Sequence, residues 1–275
     1  MQLLLAIDIG NTNIVATLFH DDELIHTWRI FSDTRRTGDE YRAILTSFFR
    51  DAGVSVASIT SCVLSSVVPV LIGQFVGLIE HLTGRKPILV NPTIFPLLPV
   101  KIPESAVHEI GSDLVCNAVE AYCRYRSPCI VVDFGTALTF TAIGADGTLL
   151  GIAITPGIGT ARNALFNNTA QLPSVPLEAP PSSLGTNTIH SIQAGIVLGY
   201  KGLVESLINR MKTDMSAQTG IAADTIRIIA TGGLNSVLKP ITDVFQNVDK
   251  SLTLYGLKRI ADIVGARTPP ESPLI

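Results

Sequence analysis

Short apolar runs separated by turn residues make up the first thirty positions of the chain. The runs from Gln2 to Asp8, Ile14 to Phe19 and Leu24 to Ile30 have strand length, and Gly10-Asn11-Thr12 and Asp21-Asp22 between them are typical turns. Strands joined by such short connections pair with their neighbours in antiparallel fashion. We therefore expect three consecutive antiparallel strands at the N-terminus.

Helical and strand patterns then alternate. Apolar residues at three- and four-residue spacing predict helices, and short continuous apolar runs predict buried strands. On this basis helices are predicted at Asp39–Arg50, Val70–Leu82 and Asp113–Tyr125, and strands at Ile59–Leu64 and Pro87–Val90. The Pro-rich stretch from Pro92 to Pro103 predicts an irregular connection.

The pattern of the first thirty residues returns in the second half of the chain. Three strands are again predicted, at Cys129–Asp133, Leu138–Ile143 and Leu149–Ile154. The first strand of each set ends in an Asp-x-Gly motif, at Asp8 and at Asp133, which lie 125 positions apart. Repetition at nearly half the chain length indicates two copies of one unit. The alternative, coincidence between two strand-turn-strand segments, stays open on the pattern alone.

The repeat predicts an α/β fold with two duplicated domains that face each other across a cleft. Each domain combines a three-stranded antiparallel meander with parallel strands and flanking helices. We place the domains at residues 1–110 and 111–275. The remaining predicted elements are helices near Thr160–Ala170, Thr188–Met211 and Ser251–Val264 and a strand at Ile226–Ala230, with a frayed tail from Pro269 to Ile275.

Composition excludes several classes of protein. Hydrophobic residues form 47% of the 275 positions and charged residues 16%, which is too apolar for a disordered chain. No window offers the roughly 20 uninterrupted apolar residues of a membrane span. The net charge of −3 predicts no broad basic surface for nucleic acid. The N-terminus lacks the basic region of a signal peptide, so we expect a cytoplasmic protein.

The four cysteines and five histidines offer no metal-binding spacing. No Cys-x-x-Cys pair is present, and Cys116 and Cys123 lie seven positions apart, on one face of a predicted helix. Reduced thiols in the core are therefore expected rather than a zinc site.

The turn after the first strand, Asp8-Ile9-Gly10-Asn11-Thr12, is the first candidate site. Gly10 permits the close approach of a phosphate group, and successive backbone N–H groups can form an anion-binding nest. Asn11 and Thr12 add side-chain donors, and Asp8 can hold Mg²⁺ directly or through water. An ordinary Asx-type turn explains the same residues without a ligand.

The second half repeats this turn at Asp133-Phe134-Gly135-Thr136-Ala137. Two such turns put carboxylates on both walls of the expected cleft, with the Thr136 hydroxyl available to a phosphate group. The pairing of Asp8 with Asp133 favours phosphoryl transfer over two unrelated turns.

Gly111-Ser112-Asp113 precedes a predicted helix. A simple helix N-cap explains these residues, and a carboxylate base at the mouth of a helix is the functional alternative. We expect the helix dipole to keep the Asp113 carboxylate ionised, with a low pKa. Because phosphoryl transfer is loose and the nucleophile loses its proton late, orienting a hydroxyl group would be the main task of Asp113.

Thr231-Gly232-Gly233 follows a predicted buried strand. Bare backbone at Gly232 and Gly233 allows a flat ligand such as adenosine to approach, and a helix-start turn explains the motif equally well. A Rossmann dehydrogenase and a P-loop kinase are both disfavoured, because neither Pro156-Gly157-Ile158-Gly159 nor Gly84-Arg85-Lys86-Pro87 completes the required fingerprint.

Taken in order along nearly the whole chain, the motifs resemble those of the type III pantothenate kinases. That family belongs to the actin–hexokinase–acetate kinase superfamily, whose members have duplicated ribonuclease H-like domains. The shared motifs are Asp8-Ile9-Gly10-Asn11-Thr12-Asn13, Trp28-Arg29-Ile30, Arg36-Thr37-Gly38-Asp39-Glu40-Tyr41, Ser65-Ser66-Val67-Val68-Pro69, Gly111-Ser112-Asp113, Val132-Asp133-Phe134-Gly135-Thr136-Ala137, Pro156-Gly157-Ile158, Ala170-Gln171-Leu172-Pro173, Gly185-Thr186-Asn187-Thr188 and Thr231-Gly232-Gly233.

The resemblance implies transfer of the ATP γ-phosphoryl group to the primary hydroxyl of pantothenate, which opens coenzyme A synthesis by forming 4′-phosphopantothenate. It implies that the loop from Asp8 to Val15, with Asn13, binds phosphate together with Mg²⁺, and that Thr136 contacts ATP. It also implies that Asp133 binds a monovalent cation, K⁺ or NH₄⁺.

On the acceptor side, the resemblance implies that Asp113 is the proton acceptor within a pantothenate site formed by Gly111, Ser112, Leu114 and Thr188. It further implies a homodimer with pantothenate bound near the dimer interface, and helix Asp113–Tyr125 is a reasonable interface element.

Three positions depart from the family pattern. Leu114 stands where the family has an Arg that holds pantothenate, Glu104 where it has a Tyr, and Thr141 where it has an Asp. The motifs that the resemblance assigns to ATP binding match the family pattern, whereas those assigned to the acceptor substrate differ from it. A kinase of another small hydroxyl compound and a non-catalytic regulatory member are therefore the alternatives. Retention of Asp8, Asp113 and Asp133 argues against the second of these.

Overall fold

The computed structural model describes residues 2–267, so the predicted frayed tail lies outside the described residues. The described chain separates into two compact units, one with residues 2–120 and 253–267, the other from Ala121 to Leu252. This division differs from the predicted boundary after residue 110. The reason is that the start of the helix at Ser112 and nearly all of the C-terminal helix pack with the first unit.

The helices and strands follow the predicted order. They are β1 (Leu3–Ile9), β2 (Asn13–His20), β3 (Glu23–Phe31), α1 (Gly38–Asp51), β4 (Ile59–Ser66), α2 (Pro69–Thr83), β5 (Ile88–Leu89), α3 (Ser112–Tyr125), β6 (Cys129–Phe134), β7 (Ala137–Ile143), β8 (Leu149–Pro156), α4 (Ile158–Asn167), α5 (Thr188–Gln193), α6 (Gly199–Thr219), β9 (Arg227–Thr231), α7 (Asn235–Leu238), β10 (Asn247–Val248) and α8 (Leu252–Arg267).

The first unit contains a five-stranded sheet in the order β3-β2-β1-β4-β5. Strands β1 to β3 form the predicted antiparallel meander, and β4 and β5 run parallel to β1. Strand β1 is central, so its apolar residues are buried on both faces of the sheet.

Helix α1 shows why a helix forms beside this sheet. Thr37 caps it, because the Thr37 side chain accepts from the Glu40 backbone N–H while the Glu40 carboxylate accepts from the Thr37 N–H. Its buried face carries Tyr41, Leu45 and Phe49. Each of these large side chains contributes roughly 1.5–3 kcal/mol by leaving water.

The second unit repeats the arrangement in a sheet of order β10-β9-β6-β7-β8. Strands β6 to β8 are again an antiparallel meander, and β9 and β10 run parallel to β6. The two sheets therefore share strand order and strand direction, with β6 in the place of β1. This confirms the predicted duplication of an α/β unit of the ribonuclease H-like kind.

A few elements differ from the prediction. The helix predicted from Thr188 to Met211 consists of α5, a π-helical turn at Ala194–Leu198, and α6, which continues to Thr219. Strand β10 and helix α7 were not predicted, because two and four residues are too short to show a period. The predicted core position is confirmed for the thiols of Cys62, Cys116 and Cys129, which are buried, whereas Cys123 is only partly buried.

Across residues 2–267, every helix is either too short or too polar to pass through a lipid bilayer.

Candidate active site

The ends of two parallel strands place Asp8 in the first unit. Asp8 is the second-last residue of β1, and its register neighbours are Val15 on β2 and Ser65 on β4. The chain leaves β1 in a tight turn, in which the Gly10 N–H donates to the Asn13 carbonyl over 2.9 Å. A Cβ added at Gly10 would lie 3.1 Å from that carbonyl oxygen, so the turn has little room for a side chain. Asn11, Thr12 and Asn13 are exposed beside Asp8, as a phosphate-binding loop requires.

Helix α3 begins at the end of strand β4 because Ser112 ties the two together. The Ser112 hydroxyl lies 2.9 Å from the Ser65 hydroxyl, accepts from the Ser66 N–H at 3.0 Å and lies 3.0 Å from the Ser66 carbonyl oxygen. Ser112 is buried. The first turn of α3 is therefore held at the strand position next to Asp8.

Asp113 is the second residue of α3, and burial controls its ionisation. Its carboxylate oxygen Oδ1 accepts from the Leu114 N–H at 2.8 Å. Burial nevertheless raises the pKa of Asp113 above its ordinary value, and the backbone N–H groups of Leu114 and Asp113 offset only part of that rise. The predicted low pKa is wrong, because removal of water penalises the charged carboxylate more than these N–H groups favour it.

Gly111 makes room for that carboxylate. A Cβ at Gly111 would lie 2.5 Å from the Asp113 Oδ1 and 3.4 Å from Val67 Cγ1. A side chain at this position would therefore push the Asp113 carboxylate out of place. Leu114, the next residue, is buried and offers no donor to an anion.

The thiol of Cys116 links the two carboxylates of the first unit. Cys116 is fully buried, and its pKa is raised well above the usual value, first by burial and then by the negative charges of Asp8 and Asp113. Asp8 and Asp113 therefore converge on one buried, protonated thiol. The sequence prediction treated Cys116 only as a core residue. The sequence spacing could have indicated this, because residues three positions apart on a helix, such as Asp113 and Cys116, lie on the same face.

In the second unit, hydroxyl groups flank Asp133 on both sides. Asp133 lies on β6, opposite Thr139 on β7 and Thr231 on β9. Direct neighbours across a sheet project from the same face. The hydroxyl oxygens of Thr139 and Thr231 are both buried, and neither has a hydrogen-bond partner among residues 2–267. Sequence reasoning assigned no role to either threonine.

The glycines around Asp133 divide into constrained and open positions. Gly232 has φ +82°, and a Cβ there would lie 2.6 Å from the Asp133 Oδ1. The neighbouring Gly233 has open space around its Cα. Gly135 donates its N–H to the Ala137 carbonyl at 3.1 Å, in the position that Gly10 occupies in the first unit.

The exposed Thr136 stands at the centre of the second turn, and the following segment is bonded to it. The Thr136 carbonyl accepts from the Gly157 N–H at 2.9 Å and from the Thr160 hydroxyl at 2.6 Å. Thr188, also exposed, is the first residue of α5, where the Asn187 side chain caps the helix by accepting from the His190 N–H at 2.9 Å.

The predicted site residues therefore form two clusters. Asp8, the Gly10 loop, Ser112 and Asp113 lie together in the first unit, and the Asp133 turn lies with Gly232 in the second. Within residues 2–267, no group of three or more His, Cys, Asp and Glu side chains is placed to hold a metal ion. Mg²⁺ in nucleotide sites needs few protein ligands, because phosphate groups and water supply the rest.

A cavity of about 520 Å³ opens between α1 and α2. Thr37, Arg42, Gln74 and His81 contribute to its lining, and no predicted site residue does. It is therefore separate from both clusters.

Comparison with known protein families gives a consistent match. The sequence model of the type III pantothenate kinases matches residues 4–210. A type III pantothenate kinase of Roseiflexus sp. (strain RS-1) is 40% identical over 261 residues, which cover 95% of this chain and 99% of that protein. Another from Moorella thermoacetica is 41% identical over 256 residues, covering 93% and 97%.

Among solved structures, a Campylobacter jejuni protein described as a Baf family transcriptional activator has a TM-score of 0.56. It is 19% identical, and the match covers 95% of this chain and 99% of that one. A reductive activator for a corrinoid iron–sulfur protein has a TM-score of 0.53 at 11% identity, covering 96% and 61%. At these identities the likeness concerns the fold alone.

Proposed function

Because the chain belongs to the type III pantothenate kinase family, we propose that the two clusters around Asp113 and Asp133 carry out the family's reaction. That reaction is the ATP-dependent phosphorylation of pantothenate in coenzyme A biosynthesis. The single observation that carries the assignment of roles is the bond between Ser112 and Ser65, because Ser65 is the register neighbour of Asp8 and the bond therefore brings the start of α3, with Asp113, next to Asp8.

Asp113 is the group that receives the proton of the acceptor hydroxyl. Its raised pKa suits this role, because a carboxylate destabilised by burial is a stronger base than one exposed to water. The transition state of phosphoryl transfer is loose, so the proton leaves late and Asp113 acts mainly by orienting the hydroxyl group. Gly111 leaves room for the Asp113 carboxylate, and Ser112 anchors the start of α3 to β4.

The loop from Asp8 to Asn13 binds phosphate. The exposed residues Asn11, Thr12 and Asn13 supply the donors, and Asp8 would hold Mg²⁺. When bound there, Mg²⁺ would neutralise negative charge on the transferred group. The protein's own contribution is a carboxylate fixed in register between β2 and β4.

Asp133 binds a monovalent cation. The buried hydroxyl oxygens of Thr139 and Thr231 support this, because oxygens without a hydrogen-bond partner beside a carboxylate offer the hard ligands that K⁺ prefers. Such a cation lowers the net negative charge that ATP meets at this turn. Gly135, Thr136, Gly232 and Gly233 contact the nucleotide from the same turn region.

Pantothenate binds beside Asp113, at Gly111, Ser112 and Leu114, and Thr188 contributes a hydroxyl. Leu114 cannot pair with the pantothenate carboxylate, so another cation, Arg162 or Lys101, compensates the charge. The enzyme acts as a cytoplasmic homodimer, with pantothenate near the dimer interface.

A coupled assay of ADP release tests this function. The wild-type chain is assayed with Mg²⁺-ATP in potassium buffer, with and without pantothenate. ADP release that requires pantothenate is expected. ADP release that pantothenate does not change, but another small alcohol stimulates, would assign a different acceptor. No ADP release with any acceptor, in a folded protein, would support a non-catalytic family member.

A further inference from the structure

The C-terminal helix α8 contacts α3 at three points along successive turns. The Thr253 hydroxyl donates to the Asn117 side-chain carbonyl at 2.8 Å. Gly256 packs on the backbone of Cys116. The Arg259 guanidinium donates to the Glu120 carboxylate through two nitrogens. These contacts join residues 116–120 of α3 to residues 253–259 of α8.

The middle contact is made by backbone alone. A Cβ added at Gly256 would overlap the Cys116 carbonyl oxygen and would lie 2.6 Å from its carbon. Helix axes usually stay 8–10 Å apart because side chains separate them. At Gly256 the absence of a side chain therefore sets the distance between the two helices.

The flanking contacts are buried on the α3 side, which fixes the rotation of that helix. Asn117 is 0% exposed and Glu120 1% exposed. A buried carboxylate that loses its partner is costly, and so is a buried amide that loses a hydrogen bond. Rotation or sliding of α3 would break both contacts at once. Few alternative positions of α3 are therefore available.

The Cys116 backbone lies about one helical turn after Asp113. The contact with α8 therefore supports the helical turn that follows the proposed base. At its other end, α3 is held by the bonds of Ser112 to β4. We infer that α8 is a positioning element for catalysis, in which Thr253, Gly256 and Arg259 set the depth and rotation of α3 and thereby the place where the Asp113 carboxylate meets the acceptor hydroxyl. This inference rests on the proposed role of Asp113.

The rate of phosphoryl transfer should depend strongly on the position of the Asp113 carboxylate. When the base acts mainly by orienting a hydroxyl group, a displacement of about 1 Å can cost roughly 100-fold in rate. The groups proposed to bind ATP, among them the Gly10 loop, are not part of α3. A shift of α3 should therefore lower kcat and leave the KM for ATP unchanged. A general loss of folded protein would instead lower the active fraction and the unfolding temperature together.

Two matched pairs of variants of the full-length chain test the inference. Gly256→Ala inserts a methyl group between the helices, whereas Gly265→Ala adds the same methyl group to α8 where a Cβ meets nothing within 4 Å. Thr253→Val removes the donor to Asn117 with little change of shape, and Thr253→Ser keeps it. For each variant kcat, the KM for ATP, the pH profile of kcat and the thermal unfolding curve are measured, with Asp113→Asn alongside.

We expect kcat of Gly256→Ala to fall about 100-fold, and that of Thr253→Val about tenfold, at an unchanged KM for ATP. The acid limb of the pH profile should move in both, because the surroundings of Asp113 change. Gly265→Ala and Thr253→Ser should match the wild type. If Gly256→Ala does not fold, the Thr253 pair decides.

Normal kcat in Thr253→Val and in any folded Gly256→Ala protein, with an inactive Asp113→Asn, would overturn the inference and leave the proposed function intact. Equal losses in Gly256→Ala and Gly265→Ala would also overturn it. Near-normal turnover in Asp113→Asn would instead remove the role of Asp113 on which the inference rests.

Discussion

Gly232 lies so close to Asp133 that a Cβ on the glycine would sit 2.6 Å from the carboxylate oxygen Oδ1. Its backbone also has φ +82°, a conformation that residues with a side chain adopt only under strain. The glycine after β9 therefore shapes the space in which the carboxylate at the end of β6 can bind a ligand.

Gly232→Ala should destabilise the protein by about 1–3 kcal/mol, through backbone strain and displacement of the Asp133 carboxylate. It should also weaken activation by potassium. Gly233→Ala is the matched control, because a Cβ there meets open space. Denaturant unfolding and potassium titration of the rate check both statements. Equal behaviour of the two variants would show that the contact with Asp133 is unimportant.

Asp113→Asn should reduce turnover about 10²- to 10⁴-fold while ATP binding persists, since the proposed role of Asp113 concerns the acceptor hydroxyl and not the nucleotide. It should also stabilise the fold at neutral pH. Burial raises the pKa of Asp113 in the folded protein above the ordinary 3.8, so its ionised form costs stability. That cost is complete above the folded pKa, shrinks as the pH falls through that value and vanishes below 3.8.

Unfolding experiments on Asp113→Asn across pH 3 to 8 check the sign of this effect, with the wild type measured in parallel. The stabilities should converge at acid pH and separate at neutral pH, with the variant higher. A variant that is less stable than the wild type at pH 7, and equal to it at low pH, would mean that the folded protein favours the charged carboxylate.

Most of the fold could be predicted from apolar periodicity. The two meanders could be predicted because turn residues separate apolar runs of strand length, and an Asp-x-Gly motif follows the same pattern at Asp8 and again at Asp133. The predicted division after residue 110 could not anticipate that residues 253–267 belong to the first unit. That placement depends on tertiary contacts such as the one between Gly256 and Cys116, which leave no periodic signal.

The site residues that belong to a local sequence motif could be predicted. Those that are brought together only by the pairing of neighbouring strands could not. Asp8 and Asp133 each begin an Asp-x-Gly motif at the end of a strand, and Asp113 ends a Gly-Ser-Asp motif at the start of a helix. The hydroxyl groups of Thr139 and Thr231 flank Asp133 only through strand register, which a sequence does not display. The pKa of Asp113 was predicted in the wrong direction because burial at the start of α3 is a tertiary property.

Activity should depend on a monovalent cation held at Asp133. Replacing potassium by sodium or by a bulky quaternary ammonium ion should lower the affinity for ATP. Thr231→Val removes one buried hydroxyl oxygen and should raise the potassium concentration for half-maximal rate about 10- to 100-fold, whereas Thr231→Ser should restore it. Equal kinetics with all three cations would contradict the cation site.

Leu114→Arg tests how the carboxylate of pantothenate is held. If Arg162 or Lys101 already supplies the positive charge, the KM for pantothenate should stay the same or rise, because a buried position gains a second cation. The measurement is that KM at saturating ATP, with Leu114→Met as the size control. A fall of about tenfold or more, equivalent to roughly 1.4 kcal/mol, would contradict compensation by another residue.

The central claim is that this chain moves the γ-phosphoryl group of ATP to pantothenate with Asp113 as the base. Its most direct test follows γ-labelled ATP in potassium buffer and quantifies labelled phosphopantothenate and ADP in the same samples, for the wild type and Asp113→Asn. The wild type should form one labelled phosphopantothenate for each ADP, and Asp113→Asn almost none while still binding ATP. ADP formed without label in pantothenate, or equal labelling by both proteins, would contradict the account.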